Sequence, residues 1–257
     1  MLRGMYSSVS AMITLQERQS VITNNLANIN TSGYKEETLL SKSFDEVILS
    51  NNDNYKNGVA NKQIIGSLSF GVSIDDTVTN HKQGVHISTN NNSDFALEGK
   101  GFFQVQDTNG KKLFTRDGCF KVNSQGHLVT NAGYHVMGMN KITGNIEPIN
   151  IGNDKISVTP NNNINVNGVE KYSFNIVDFN DYNTLEKVGD NLYSGENPVQ
   201  ANNFYVKQGY VEGSNVDNIN MTASLMETVK EFEADQKVIQ TIDSTLSKIA
   251  NEIGTVR

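Results

Sequence analysis

The chain carries one cysteine, Cys119, no tryptophan and 3 prolines in 257 residues. A lone thiol forms neither an internal disulfide nor a CxxC metal pair. No stretch approaches 18 consecutive apolar residues, which excludes a membrane-spanning helix. The opening Met1-Leu2-Arg3-Gly4-Met5-Tyr6-Ser7-Ser8 has no apolar core followed by a small-residue cleavage site. The expectation is a protein that stays in the cytoplasm or leaves by a route needing no cleaved signal. Basic charge is also short: 21 Lys and Arg against 28 Asp and Glu give a net charge of −7. Nucleic acid and polybasic lipid attachment both need a cationic face, so neither is expected as a partner.

The usual motifs of chemistry are missing too. His81, His86, His127 and His135 show no HExxH, HxH or HxxxH spacing and read as surface histidines. GxSxG, Walker A and GxGxxG patterns do not occur, and Gly99-Lys100-Gly101 is too short to cradle a phosphate. Asp75 and Asp76 are adjacent at a strand end and point to opposite faces, which does not suit acid–base work. Cys119 follows the Arg116-Asp117-Gly118 turn with no base nearby and reads as an inert, packed thiol. No catalytic, cofactor or metal site is expected, no small-molecule substrate, and the chain is read as a non-enzyme.

Asparagine is what the sequence has in excess, at 36 residues. It favours turns and weakens helices, so the Asn-rich middle predicts short strands joined by turns. The two ends differ. Met5, Ser8, Met12, Leu15, Gln19, Ile22, Leu26 and Ile29 are spaced alternately 3 and 4 apart, with six of the eight apolar. This is a narrow helical seam that should stop near Gly33. Met221, Leu225, Thr228, Phe232, Asp235, Ile239, Ile242, Leu246, Ile249, Ile253 and Val256 repeat the pattern, nine of eleven apolar. Ser214-Asn215-Val216-Asp217 upstream reads as a capping box, and Lys248 and Arg257 near the end suit the helix dipole. A helix of 30 residues would be about 45 Å long, more than a domain this size needs. Two such helices could lie on a core or pair as a coiled coil. Pairing is the sharper reading, because a two-in-seven seam is narrower than a core-facing stripe.

The middle reads as β. Leu68, Phe70, Val72 and Ile74 alternate with Ser67, Ser69, Gly71 and Ser73, the pattern of one half-buried strand. Phe95–Leu97, Phe103–Gln106, Leu113–Thr115, Phe120–Val122 and Leu128–Thr130 follow, punctuated by Asn109-Gly110, Asp117-Gly118 and Asn123–Gly126. Further strands are expected at Tyr134–Met139, Ile156–Thr159, Ile164–Val166 and Tyr172–Val177, giving an antiparallel sandwich or irregular barrel. Residues 41–63 and 195–208 read as polar connections. The fold class is therefore α+β: terminal heptad helices pairing as a coiled coil around a central, mostly antiparallel β domain. The expected division is an N-terminal helix at 1–35, an extended connection at 36–66, the β domain at 67–208, and a C-terminal return and helix at 209–257. On residues alone the competing class is a secreted β-sandwich that binds carbohydrate, which would need an exposed aromatic platform. Tyr182, Tyr193, Tyr205 and Tyr210 share no pattern that makes one.

Three blocks carry a resemblance. Asn24-Asn25-Leu26-Ala27-Asn28-Ile29-Asn30-Thr31-Ser32-Gly33-Tyr34-Lys35 closely resembles the N-terminal signature of the bacterial flagellar rod and hook family. Phe95-Ala96-Leu97-Glu98-Gly99-Lys100-Gly101-Phe102-Phe103-Gln104-Val105 is similar to its second block, with Phe114-Thr115-Arg116-Asp117-Gly118 and Leu128-Val129-Thr130. Gln208-Gly209-Tyr210-Val211-Glu212-Gly213-Ser214-Asn215-Val216 resembles its third, and the blocks stand in the family order. The resemblance implies an axial subunit of the flagellar basal body, outside the cytoplasmic membrane, with no cofactor and no catalytic residue. It implies export unfolded through the flagellar type III channel without a cleaved signal. Its implied partners are copies of itself, neighbouring rod and hook axial proteins, and the export apparatus with its chaperones. The terminal helices would form the inner tube and the β domain the outer layer. The implied assembly seam is Met5, Met12, Leu15, Ile22, Leu26, Ile29, Leu225, Phe232, Ile239, Ile242, Leu246, Ile249 and Ile253. The implied motif residues are Asn24, Asn25, Leu26, Ala27, Asn28, Gly33, Gly99, Gly101, Phe102, Phe103, Arg116, Asp117, Gly118, Gly209, Tyr210, Ser214, Asn215 and Val216. Ser43-Phe44-Asp45-Glu46-Val47-Ile48 and the third block resemble the distal rod subunit more than the proximal one, and residues 140–170 depart from the family pattern.

Overall fold

The computed structural model describes residues 2–56, 59–152 and 154–253, with the side chains of residue 2, residues 52–61 and residues 252–253 left aside. Ile253, as a seam side chain, and Val256 and Arg257 therefore lie outside the described residues. The fold is α+β. The chain divides into two compact units: a helical unit of residues 1–26, 37–78 and 218–257, and a β unit of residues 27–36 and 79–217.

The helical unit holds α1 (Leu2–Ala27) and α2 (Asn218–Lys248), with a π turn over Ile249–Ile253. It also holds β1 (Glu37–Ser43), β2 (Val47–Lys56), β3 (Val59–Leu68) and β4 (Val72–Thr79). β2 and β3 make a long antiparallel hairpin from Val47 opposite Leu68 to Lys56 opposite Val59. β1 pairs with β4, and Lys42 Nζ meets Asp75 Oδ1 across that pair at 2.6 Å. The run 67–74 does not form one strand as expected. It breaks between Leu68 and Val72, where Ser69 Oγ donates to the Phe44 and Gly71 carbonyls and Val72 N–H donates to Ser10 Oγ of α1 at 3.3 Å. Its burial is uneven: Phe70 and Val72 are half-buried, while Leu68 is 48% exposed and Ile74 40%. The local alternation is present, but among the described residues α1 covers its apolar face only in part, with the Arg3 guanidinium over the Phe70 ring at 5.1 Å.

α1 ends at Ala27, so Ile29 falls beyond it. The tetrapeptide expected to be a capping box lies wholly before α2. Ser214 Oγ accepts the Val216 N–H, and Asn215 spends its side chain on Glu36 and Asn80, just outside β1 and β4. The helix starts at Asn218, past the whole tetrapeptide.

The β unit is built on one branched antiparallel sheet of 13 strands, accompanied by two-stranded pairs. Here β5 (His86–Ser88) pairs with Tyr210–Glu212, and β6 (Phe95–Gly99) pairs with Phe204–Gln208. β7 (Phe102–Gln106) pairs with β8 (Lys112–Thr115) through the expected Asn109-Gly110 hairpin, and with strands His135–Asn140 and Ile176–Asp178. Residues 195–208 are thus not only a connection, because Val206 is buried in the core opposite Leu97. The expected strand 172–177 is cut at Asn175, whose N–H goes to the Met137 carbonyl and whose carbonyl accepts from Gln104. Side chains alternate across β7: Phe103 and Val105 join the main core with Phe95, Phe120, Ile164 and Phe174. Phe102 packs on the other face with Phe114, Val177, Phe179 and Tyr193. Each fully buried aromatic of this kind stabilises by roughly 3 kcal/mol or somewhat less.

Candidate functional site

Two arrangements stand out, one in each unit. In the β unit three charged side chains are buried together. Glu212 is fully buried, Lys35 is 1% exposed and Arg116 4%. Lys35 Nζ lies 2.6 Å from Glu212 Oε1 and donates to the Lys82 carbonyl at 2.7 Å. Arg116 Nη1 lies 3.2 Å from Glu212 Oε2, while its Nη2 donates to the Gly99 carbonyl at 2.8 Å. The Gly84 N–H completes the carboxylate at 2.9 Å. Burial holds the Lys35 ammonium below its usual range, and Glu212 partly opposes that. Buried charges are tolerated when paired and hydrogen-bonded, as these are.

The surrounding backbone is closed as tightly. Gly33 has φ +68°, and a Cβ there would stand 2.4 Å from the Asp117 nitrogen; its N–H donates to the Glu212 carbonyl at 2.7 Å. A Cβ on Gly118 would stand 1.6 Å from the Phe95 carbonyl oxygen. Asp117 closes the turn, with Oδ1 accepting the Cys119 N–H at 3.0 Å. Burial, aided by Asp94, pushes the Asp117 carboxyl up to about 6, and the same burial raises the Cys119 thiol. Asn215 bridges two segments: its Oδ1 accepts the Glu36 N–H at 2.7 Å and its Nδ2 donates to the Asn80 carbonyl at 2.7 Å. His81 is not a surface histidine. Its ring packs on Phe102, Tyr182 and Tyr193 with centroids 5.7, 5.1 and 5.4 Å away. Burial, with the positive charges of Lys35 and Arg116, lowers it to about 4.

In the helical unit the arrangement is a stripe rather than a core. Met221, Leu225, Phe232, Asp235, Ile239, Ile242 and Leu246 are half-buried and Thr228 is buried. Their neighbours at Met226, Glu227, Glu231, Val238 and Lys248 are exposed. On α1, Met5, Met12, Leu15 and Leu26 are half-buried, and Ile22 and Asn25 are buried; Ile249 on the turn beyond α2 is exposed. The helices touch at Arg18 Nη1 and Glu231 Oε2, 3.9 Å apart, and at Asn25 Nδ2 and Met221 Sδ, also 3.9 Å. Position numbers fall on α1 as they rise on α2, so the helices run antiparallel. Asn25 also clamps the strand that follows: its Nδ2 donates to the Glu37 carbonyl at 2.7 Å and its Oδ1 accepts the Glu37 N–H at 3.0 Å.

Three family models match the chain. Residues 5–35 match "Flagella basal body rod protein", residues 96–168 match "Flagellar hook protein FlgE/F/G D1 domain", and residues 207–252 match "Flagellar basal body rod FlgEFG protein C-terminal". The buried ion cluster takes one residue from each: Lys35, Arg116 and Glu212. The chain is 31% identical over 277 residues to the flagellar hook-basal body complex protein FlhO of Bacillus subtilis, covering 100% of both chains. It is 31% identical over 268 residues to the flagellar basal-body rod protein FlgG of the same organism, covering 98% of this chain and 99% of that one. The chain belongs to the flagellar hook and basal-body rod family. A flagellar basal-body rod protein FlgF from Caulobacter vibrioides is 28% identical over 261 residues, covering 98% of each.

Family membership and the geometry speak to the motif residues together. The structure gathers Gly33, Gly99, Arg116, Asp117, Gly118 and Asn215 at the ion cluster, and puts Phe102 against the Arg116 guanidinium at 5.4 Å. It sets Phe103 in the main core, and Gly101 against Ile176. Gly209 N–H bonds the Asp94 carbonyl, and Val216 is buried. Asn28 accepts from Thr31 at the end of α1, while Tyr210, Asn24 and Ala27 are exposed. Sequence reasoning quoted Lys35 and Glu212 inside the blocks without assigning them a role. Each block holds one of these charges with a glycine one or two residues away, at Gly33, Gly118 and Gly213, and no local signal pairs them.

Proposed function

We propose that the chain is a structural axial subunit of the bacterial flagellar basal-body rod, polymerising through its terminal helices around the export channel. The observation that carries the reading is the ion cluster: three family segments, distant in sequence, are tied by one buried carboxylate in a unit with a closed core. The helical unit leaves its apolar side chains half covered. The seam residues named above would close α1 and α2 into a coiled coil and bury their remaining faces on other copies and on neighbouring rod and hook proteins. Such a role needs no catalytic residue, and passage through the flagellar export channel with its chaperones fits a chain whose helices depend on assembly. The distal position is favoured because curated relatives named FlgG, of the distal type, match at about 30% identity over nearly the full chain. The carbohydrate-binding reading has no support from the family. Immunogold labelling of isolated basal bodies tests the proposal. Label on the rod near the hook is expected; label absent from the axial structure would sink it, and label at the cell-proximal end would replace distal with proximal.

A further inference from the structure

The β unit contains a cavity of about 440 Å³ lined by Asn80, His81, Lys82, Lys100, Phe102, Arg116 and Tyr182, among others. That volume suits a side chain or a short peptide corner. Its walls are rings, with Phe102 and Tyr182 6.0 Å apart and His81 between 5 and 6 Å from both. Its rim is cationic. Lys82 and Lys100 are exposed, and no carboxylate of the described residues lies within ion-pair distance of either ammonium. His81 is lowered first by burial, and Lys35 and Arg116 add to it the same positive field at the cavity wall. In a chain of net charge −7 this is a place that favours a carboxylate next to an aromatic or apolar body.

The chain itself carries such a group. Between β1 and β2, Phe44, Asp45 and Glu46 are all exposed, Phe44 at 44%. The backbone of this corner is anchored, since Phe44 N–H donates to the Gly71 carbonyl at 3.0 Å and Ser69 Oγ donates to the Phe44 carbonyl at 2.9 Å. An aromatic ring and two exposed carboxylates are thus held together on an anchored corner, Glu46 Oε2 accepting from Ser67 Oγ and Asp45 lying in the field of Lys42, which lowers the ordering cost of binding.

We infer that the cavity is the acceptor for the Phe44–Asp45–Glu46 corner of a second copy of the chain, Lys82 and Lys100 meeting Asp45 and Glu46. This rests on the reading of the chain as a self-assembling rod subunit. The test uses two full-length chains made in the same flagellated cell, each with Cys119→Ser. One carries Asp45→Cys and the other Lys100→Cys. Mild oxidation of isolated basal bodies should give a disulfide-linked heterodimer, absent when either chain is made alone. A charge exchange gives the second arm. K82E/K100E should lower incorporation into basal bodies roughly tenfold, and adding D45K/E46K to the same chain should restore it. Each variant's circular dichroism and unfolding midpoint should match the parent. Both chains present in basal bodies without a heterodimer would overturn the inference and leave the rod reading standing. Chains absent from basal bodies even without the substitutions would overturn both. Reduced incorporation that the exchange fails to restore, with folding intact, would assign the lysines to a different acidic partner and also defeat it.

Discussion

The two units solve the problem of apolar surface in opposite ways. In the β unit Phe95, Leu97, Phe103, Val105, Leu128, Val136, Ile149 and Ile164 are wholly buried, and even its charged residues find partners inside. In the helical unit Ile22 is the fully buried apolar side chain among the described residues, and Tyr6, Ile13, Ile48, Ile64, Ile65 and Ile219 are more than half exposed. Yet the helical unit is not poor in apolar residues. What it lacks is a third dimension: two long helices, one hairpin and one two-stranded pair offer stripes and ribbons, and each can cover only one face of another. The difference teaches that one unit covers its apolar surface within the chain while the other leaves much of it exposed, which is what the proposed assembly would cover.

Hydrogen exchange of dilute monomer should show this most strongly. Amides near 95–130 should be protected at least a thousandfold more than those in 5–26 and 221–248, because an isolated helix with an incomplete seam is marginal in water. Equal, strong protection of both helices would break the comparison, since the pair would then be stable without neighbours. Next in size is Glu212→Ala. It leaves Lys35 and Arg116 buried without their counter-charge, and should cost about 3–5 kcal/mol in chemical unfolding of the β unit. A loss under 1 kcal/mol would mean that water enters the cluster freely.

The pH dependence follows from two groups of opposite sign. His81 is held near 4 in the fold, below its ordinary 6.5, so its contribution is full above 6.5 and is lost as pH falls toward 4. Asp117 is raised to about 6 from 3.8, so its contribution is full below 3.8 and is lost as pH rises through 6. Asp117→Asn, which keeps the acceptor for Cys119 N–H, should therefore stabilise the fold at pH 8 by roughly 1–3 kcal/mol. It should change little at pH 3.5. Unfolding midpoints at the two pH values decide the matter, and a larger gain at the acid end would contradict the assignment. The smallest effect belongs to the other unit. Ile48→Ala and Ile65→Ala, at side chains 64% and 69% exposed, should shift monomer stability by less than about 0.5 kcal/mol. The same changes should reduce incorporation into basal bodies, which sharpens the comparison further.

Several features were legible from residues alone because their causes are local. Asn109-Gly110 and Asp117-Gly118 make turns wherever they stand, and the 3,4 spacing of Met221 through Leu246 appears directly as the half-buried stripe of α2. The break at 69–71 was not legible, since the alternation of Leu68 to Ile74 is perfect and the interruption comes from Ser10 on α1. The capping-box reading missed for a similar reason: the segment is drawn into the β unit by Asn215, bonded to Glu36 and Asn80, and α2 starts only at Asn218.

By itself the sequence determined the class of most segments, the terminal heptads, the turns and, through three blocks, the family, but not residues 41–63, which read as a polar connection and fold into the β2–β3 hairpin. Those depend on periodicities and short-range stereochemistry, which a strand or helix carries within itself. Tertiary structure alone decided that Lys35, Arg116 and Glu212 share one buried site, because a charge reveals no partner until the chain has brought two distant segments within 4 Å. It also decided which apolar faces are covered. Leu97 and Ile48 sit in equally apolar stretches of strand, yet one is sealed against Val206 and the other faces outward, because burial is a property of what lies opposite and not of the residue.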